Sequence, residues 1–507
     1  MIVGKQVESN VSMVFNREIP VALSAGFLFI LVILMTPFRL FDKLLFSIIV
    51  LVFIAILVYL FGVSIYLFPL ATVSWISYGP NTFFLAPVLG GATIIELCVY
   101  VGLLVFVARS LMLSTNKLAS LPLIWPLLGY VGAALVAYYI SPDPKNWENF
   151  VLFRQATLYA LAIYYLVANN IHKLKQAVNL LAALTIGGVI FGVLVSFIIQ
   201  GVFNPLLRIQ QTRLAGYDYL GEGWANSAVQ VATFLSLILP IAITYTMYSR
   251  RFRSGAFFGT MSLLLGLMLF LSEGRGGYIA GVASSVVVLF LTSVRRRISI
   301  RRMVVICFIF LILFIVLINS GLLSSTVFYR LNLLRNLSSD TSFIGRISLW
   351  ESEWKILIHN PLGVGYAYIF NKYGHTAHNE FLQVALGSGF LGLFFYIIFF
   401  VGILRRFMQG VKHYNHDVQL VSIASLGCCV AYMFNSIIDN PSTNNLWGWQ
   451  IIWFVLAIGI GMLHILQTER QASQECSDKL DDDISFNVRR PLIRTLSNRR
   501  KINIQKW

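Results

Sequence analysis

Apolar runs of membrane-spanning length recur along the chain, and most of the polar stretches between them are short. The runs at 121–140, 177–200, 224–248, 303–318, 381–404, 418–438 and 446–466 are long or nearly long enough to cross ~30 Å of hydrocarbon as helices. Less sharply bounded runs lie at 21–37, 44–68, 82–107, 151–167, 256–271 and 278–291, which brings the expectation to about 12–14 transmembrane helices. The pattern therefore predicts an all-α, polytopic membrane helix bundle. It also divides the chain. Residues 1–200 are helices and brief connections, 201–466 add longer polar loops, and 467–507 form a polar tail, acidic and then basic, expected to be disordered and cytoplasmic. The longest interruption, 320–380, is not low in complexity. Arg346, Trp350, Glu353 and Trp354 predict an amphipathic helix lying on the membrane surface. Asn360-Pro361 ends it, and Gly363 and Gly365 allow a sharp return to the bundle.

Composition agrees, with 58% hydrophobic and 12% charged residues among 507. A formal charge of +17 would suggest nucleic acid in a soluble protein, but the placement of the charge excludes it as a partner here. Arg250, Arg251 and Arg253 form one basic loop, Arg295 to Arg297 with Arg301 and Arg302 a second, and Arg405, Arg406 and Lys412 a third. They alternate with loops lacking such clusters and so mark the cytoplasmic side, which puts the loops around Gly274, 320–380 and Asp439 outside. Residues 1–20 are polar and do not read as a cleavable signal peptide. Of the five cysteines none falls in an outer loop, so neither a disulfide framework nor a zinc site is expected.

The candidate chemistry gathers on that outer side. His375-Thr376-Ala377-His378-Asn379-Glu380 stands where a polar loop meets the apolar run at 381–404. An imidazole there is either an interfacial anchor or a proton acceptor beside the first free N–H groups of a helix. In the turn before 278–291, Gly274, Gly276 and Gly277 would let backbone N–H groups converge as an anion nest, with Arg275 adding a fork-shaped cation; a plain turn whose arginine meets lipid phosphate is the alternative. Within the spans, Glu96 is either functional or a bond to a neighbouring helix, and Arg154 is expected to snorkel to the outer interface.

Taken in order, Arg213-x-x-Gly216 with Asn226, Ser272-x-x-Arg275-Gly276, Arg346-x-x-x-Trp350, Asn360-Pro361-Leu362-Gly363-Val364-Gly365, and His378-Asn379-x-x-Leu382 with Gly389 and Gly392 resemble the O-antigen ligase and O-antigen polymerase family. The similarity spans roughly 213–404. It departs at Glu273-Gly274, where the family often has a second serine before the arginine. The resemblance implies a metal-independent, inverting membrane glycosyltransferase of the GT-C type, without cofactors, in the bacterial inner membrane and working on its periplasmic or outer face. The implied donor is a glycan on undecaprenyl pyrophosphate. The implied acceptor is a second lipid-linked repeat in a polymerase, the favoured reading, or lipid A core in a ligase, and a chain-length regulator is an implied protein partner. By the same resemblance Arg275 and Arg346 hold the pyrophosphate with Arg213 as a third cation, and His378 is the base. His375, Asn379, Gly276, Trp350 and Glu96 are supporting residues.

Elementary chemistry is consistent with those roles. A glycosyl pyrophosphate carries a good leaving group, so transfer needs cations for the departing charge and one base for the acceptor hydroxyl. The outer loops hold no Asp-x-Asp or His/Asp cluster suited to a divalent cation, and arginines can take its place. The helix end beside His378 favours a neutral ring, and Glu380 acts in the opposite direction. The competing reading is transport of a small anion, suggested by Glu96 within the membrane.

Overall fold

The computed structural model describes residues 66–68, 70–71, 94–113, 121–142, 147–199, 228–272, 274–296, 341–373, 376–441 and 446–487. No strand occurs among them. The expected spans at 21–37 and 303–318, and most of 44–68, lie outside the described residues. The helices are α1 (Ile94–Leu113), α2 (Ile124–Ile140), α3 (Trp147–Phe153), α4 (Tyr159–Asn169), α5 (Leu174–Ile199), α6 (Ala228–Tyr248), α7 (Phe252–Leu271), α8 (Arg275–Arg296), α9 (Thr341–His359), α10 (Tyr368–Tyr373), α11 (Glu380–Val411), α12 (His416–Ile438) and α13 (Leu446–Asn487). Among the described residues eight helices are long and apolar enough to cross a membrane, with shorter apolar stretches at Glu96–Ala108 in α1 and Ile124–Ile140 in α2.

Helix α6 packs against α5, α7, α8 and α12, and α12 in turn packs against α8 and α11. Small residues permit the close approaches: a Cβ on Gly277 of α8 would fall 2.6 Å from Ala232 Cβ of α6. Helices α6 and α12 run antiparallel. At one end His416 Nε2 lies 3.1 Å from Tyr248 O, and farther along Asn435 Nδ2 donates to Ser236 Oγ at 2.9 Å. The first of these ends carries Arg250, Arg251 and Arg253, with Arg405, Arg406 and Lys412 at the α11–α12 connection. The starts of α8 and α11 and the end of α12 lie at the opposite end.

Helix α11 is interrupted at Gly389, where φ is 71° and ψ 178°. An L side chain there would be strained, and its Cβ would fall 2.5 Å from the carbonyl carbon of Leu362. The break leaves a half-helix, 380–388, stitched to the return loop. Val364 N donates to Leu386 O at 2.7 Å, Gly365 N to the same oxygen at 3.2 Å, and Phe390 N to Pro361 O at 3.0 Å. Gly363 and Gly365, with φ near 90°, make the return that the sequence predicts.

Two expectations need correction. Arg154 does not snorkel. It is buried at the start of a π-helical turn, Arg154–Leu158, with Nη2 3.2 Å from Glu96 Oε2, and Gln155 Nε2 reaches the same oxygen at 3.4 Å. A buried guanidinium is costly unless a carboxylate meets it, and Glu96, far away in sequence, does so. Glu96 is thereby a helix-to-helix bond. The tail is not unstructured up to Asn487, because α13 continues through it. No glycine or proline occurs from 462 to 490 to stop a helix.

Candidate active site

The last residues of α12 gather three remote segments. A helix leaves its final carbonyls without intrahelical donors, and its C-terminus is its negative end. Here Ile437 O accepts from Asn379 Nδ2 at 3.2 Å, and Ile438 O accepts from Arg346 Nη1 at 2.9 Å. The next residue, Asp439, places Oδ1 3.8 Å from His378 Nδ1, an ion-pair rather than a hydrogen-bond distance. The first turn of α8 completes the group, since a Cβ on Gly276 would lie 3.5 Å from Ile438 Cγ2. Arg275, half-buried, opens that helix.

His378 itself has a left-handed backbone, φ 50°. Histidine tolerates this region better than most residues, and such conformations persist only where neighbours fix them. The neighbours are on both sides. Trp350 Nε1 donates to Ala377 O at 2.9 Å, and Ala377 N donates to Gln383 Oε1 at 3.2 Å. After His378, Asn379 turns extended and caps α11, its side chain accepting from Leu382 N at 3.0 Å. Gln383 is a buried clamp. Its amide also donates to Tyr366 O at 3.0 Å and accepts from Asn440 Nδ2 at 3.4 Å, while Thr376 Oγ1 donates to Asn440 Oδ1 at 3.2 Å. The imidazole side chain is 31% exposed and the Asp439 side chain behind it 4%, so the ring has an open side and a buried anionic one.

The structure thus brings together His378, Asn379, Arg346, Trp350 and the Arg275-Gly276 pair. Glu96 lies apart from them, in its bond to Arg154. Arg213 and His375 fall outside the described residues. The expected glycine nest takes another form: Tyr278 N already donates to Gly274 O at 3.1 Å, so 275–277 are the first turn of a helix, and Gly277 serves the approach to α6. Helix N-termini also present unpaired N–H groups to anions. Glu380 is fully buried, within electrostatic reach of the Tyr130, Tyr366, Tyr396 and Tyr432 phenols, and the carboxylate paired with His378 is Asp439. Sequence reasoning passed over Asp439, Asn440 and Gln383 as site residues. The available signal was the polar run Asp439-Asn440-Pro441 directly after an apolar span, on the same side as His378.

Residues 260–397 match the O-antigen ligase family. The matched stretch contains Arg275, Gly276, Arg346, Trp350, His378 and Asn379 and ends before Asp439. No curated protein matches the chain significantly. The family match and the eight apolar helices describe a multi-pass membrane protein with an O-antigen ligase-like region, a family of enzymes acting on lipid-linked glycans.

Proposed function

We propose that the protein is an inverting, metal-independent glycosyltransferase that moves glycan repeats from undecaprenyl pyrophosphate during surface-polysaccharide synthesis, with polymerisation as the first reading. The observation that carries it is the meeting of His378 with buried Asp439 in one group with Arg346 and the Arg275 helix start. In the proposed step the acceptor hydroxyl gives its proton to His378 and its oxygen attacks the anomeric carbon from the face opposite the pyrophosphate. The bond from that carbon to the pyrophosphate oxygen breaks, and its electron pair leaves with undecaprenyl pyrophosphate. Asp439 stabilises the imidazolium that forms, and Arg275, Arg346 and the α8 N-terminus stabilise the leaving charge. The inner-membrane location and the periplasmic side of the site are part of this proposal, supported by the basic loops at the opposite end of the bundle. The transport reading loses its motive, because Glu96 is already neutralised by Arg154.

The name of the matching family favours a second reading, ligation of the glycan to lipid A core. Deletion followed by envelope glycan analysis separates the two. A single repeat still attached indicates a polymerase, and lipid-linked polymer accumulating without attachment indicates a ligase. Unchanged surface glycan would refute both.

A further inference from the structure

Arg346, Trp350, Glu353 and Leu357 follow one another at heptad spacing and share one face of α9. Three of them have evident tasks. Arg346 reaches Ile438 O, Trp350 holds Ala377 O, and Leu357 packs in a cluster with Val364, Ala377, Ala385 and Leu386. Glu353 lies between Trp350 and Leu357 on this face. It is 0% exposed, and among the described residues neither carboxyl oxygen has a hydrogen-bond partner. An ionised carboxylate sealed in that place would have no cation among the described residues to meet it. Burial alone pushes the group up to about 8, so it is an uncharged acid at neutral pH.

Among the described residues the other charged and titratable groups around this junction do not relieve it. On α9, Glu351 and Lys355 are exposed and Arg346 is committed to Ile438 O. From α11, Glu380 faces the buried phenols. His378 pairs with Asp439 at the end of α12, and Lys372, from α10, is bonded to Tyr368.

We propose that Glu353 is a positioning residue of the transfer site: uncharged, it allows α9 to close on the 376–378 segment, which keeps Arg346 at Ile438 and His378 beside Asp439; ionised, it parts the two and slackens both. The catalytic meaning of this closure rests on the transferase reading above. The sign follows from linkage. The carboxyl holds its proton more tightly in the closed arrangement than where water reaches it, so closure is fully favoured at low pH and weakens as the pH rises to about 8.

The test has two readouts on purified full-length protein: amide hydrogen exchange of α9 and of 376–378 between pH 7 and 9, corrected for intrinsic rates, and transfer rate across the same range. In the wild type, exchange rises with pH while transfer falls by about tenfold at pH 9, as expected one unit above the titration. Glu353→Gln, which mimics the protonated acid, keeps its activity at pH 7 and flattens both profiles. Should that variant fail to fold, Glu353→Met is expected to do the same. Identical wild-type and variant profiles, or loss of transfer in Glu353→Gln at pH 7 as severe as in His378→Ala, would overturn the proposal. The exchange profiles decide the closure independently of catalysis, so absence of transfer by the wild type, which would sink the transferase reading, is told apart from a failure here.

Discussion

His378 is placed by backbone rather than by its own side chain. Trp350 and Gln383 fix Ala377 on one side, Asn379 caps α11 on the other, and the imidazole between them is turned so that Nδ1 faces Asp439. A carboxylate behind the ring orients it and stabilises its charged form, so Asp439→Asn should lower transfer by about 10²-fold while donor binding is retained. Rate and donor affinity measured together check this, and parallel loss of both would assign Asp439 to donor binding instead. Arg275→Ala should show that opposite pattern, weakened donor binding, because it removes charge from the proposed pyrophosphate site. In the sequence, His378 and Arg275 stand out because each sits at a polar-to-apolar junction or in a turn, and Arg346 and Trp350 because they fall at helical spacing on an amphipathic segment. Asp439 and Gln383 do not, since their roles arise from pairing with residues far away along the chain or from a buried amide inside an apolar run. The Arg154 snorkel was misjudged for the same reason: its partner, Glu96, becomes visible only when the helices are packed.

At the scale of elements, the spans among the described residues were readable from their length and hydropathy, but the break in α11 was not. The run passes through Gly387-Ser388-Gly389 with neither a proline nor a charge to stop the helix, and the reason for the break is the loop at 361–365 whose backbone occupies the space of a side chain. Gly389→Ala would combine a disfavoured φ with a clash against Leu362, a cost of roughly 2–5 kcal/mol. A clear fall in the melting temperature of purified protein is the expected result, and unchanged stability would mean that the half-helix and loop are joined differently. Helix α9 offers the reverse case. Glu353→Met removes an unsatisfied buried carboxyl without removing volume and should stabilise the protein by about 1–3 kcal/mol at neutral pH. Thermal unfolding of the variant beside wild type measures it.

Across the whole molecule, the basic loops and the candidate site occupy opposite ends of the antiparallel α6–α12 pair. With the basic end inside, a cysteine at 274 should react with an impermeant thiol reagent in cells whose inner membrane is intact. Labelling only after that membrane is permeabilised would place the site on the wrong side for a lipid-linked donor presented outside. Transfer should also survive excess EDTA, the charge being supplied by Arg275 and Arg346, and activity restored by added Mg²⁺ or Mn²⁺ would contradict that account. The most direct test of the central claim is transfer from a lipid-linked glycan donor by purified wild type and His378→Ala, with donor binding measured on the same samples. The account predicts that His378→Ala binds donor as wild type does and transfers it ~10²–10⁴-fold more slowly, whereas near-normal transfer by that variant would contradict it.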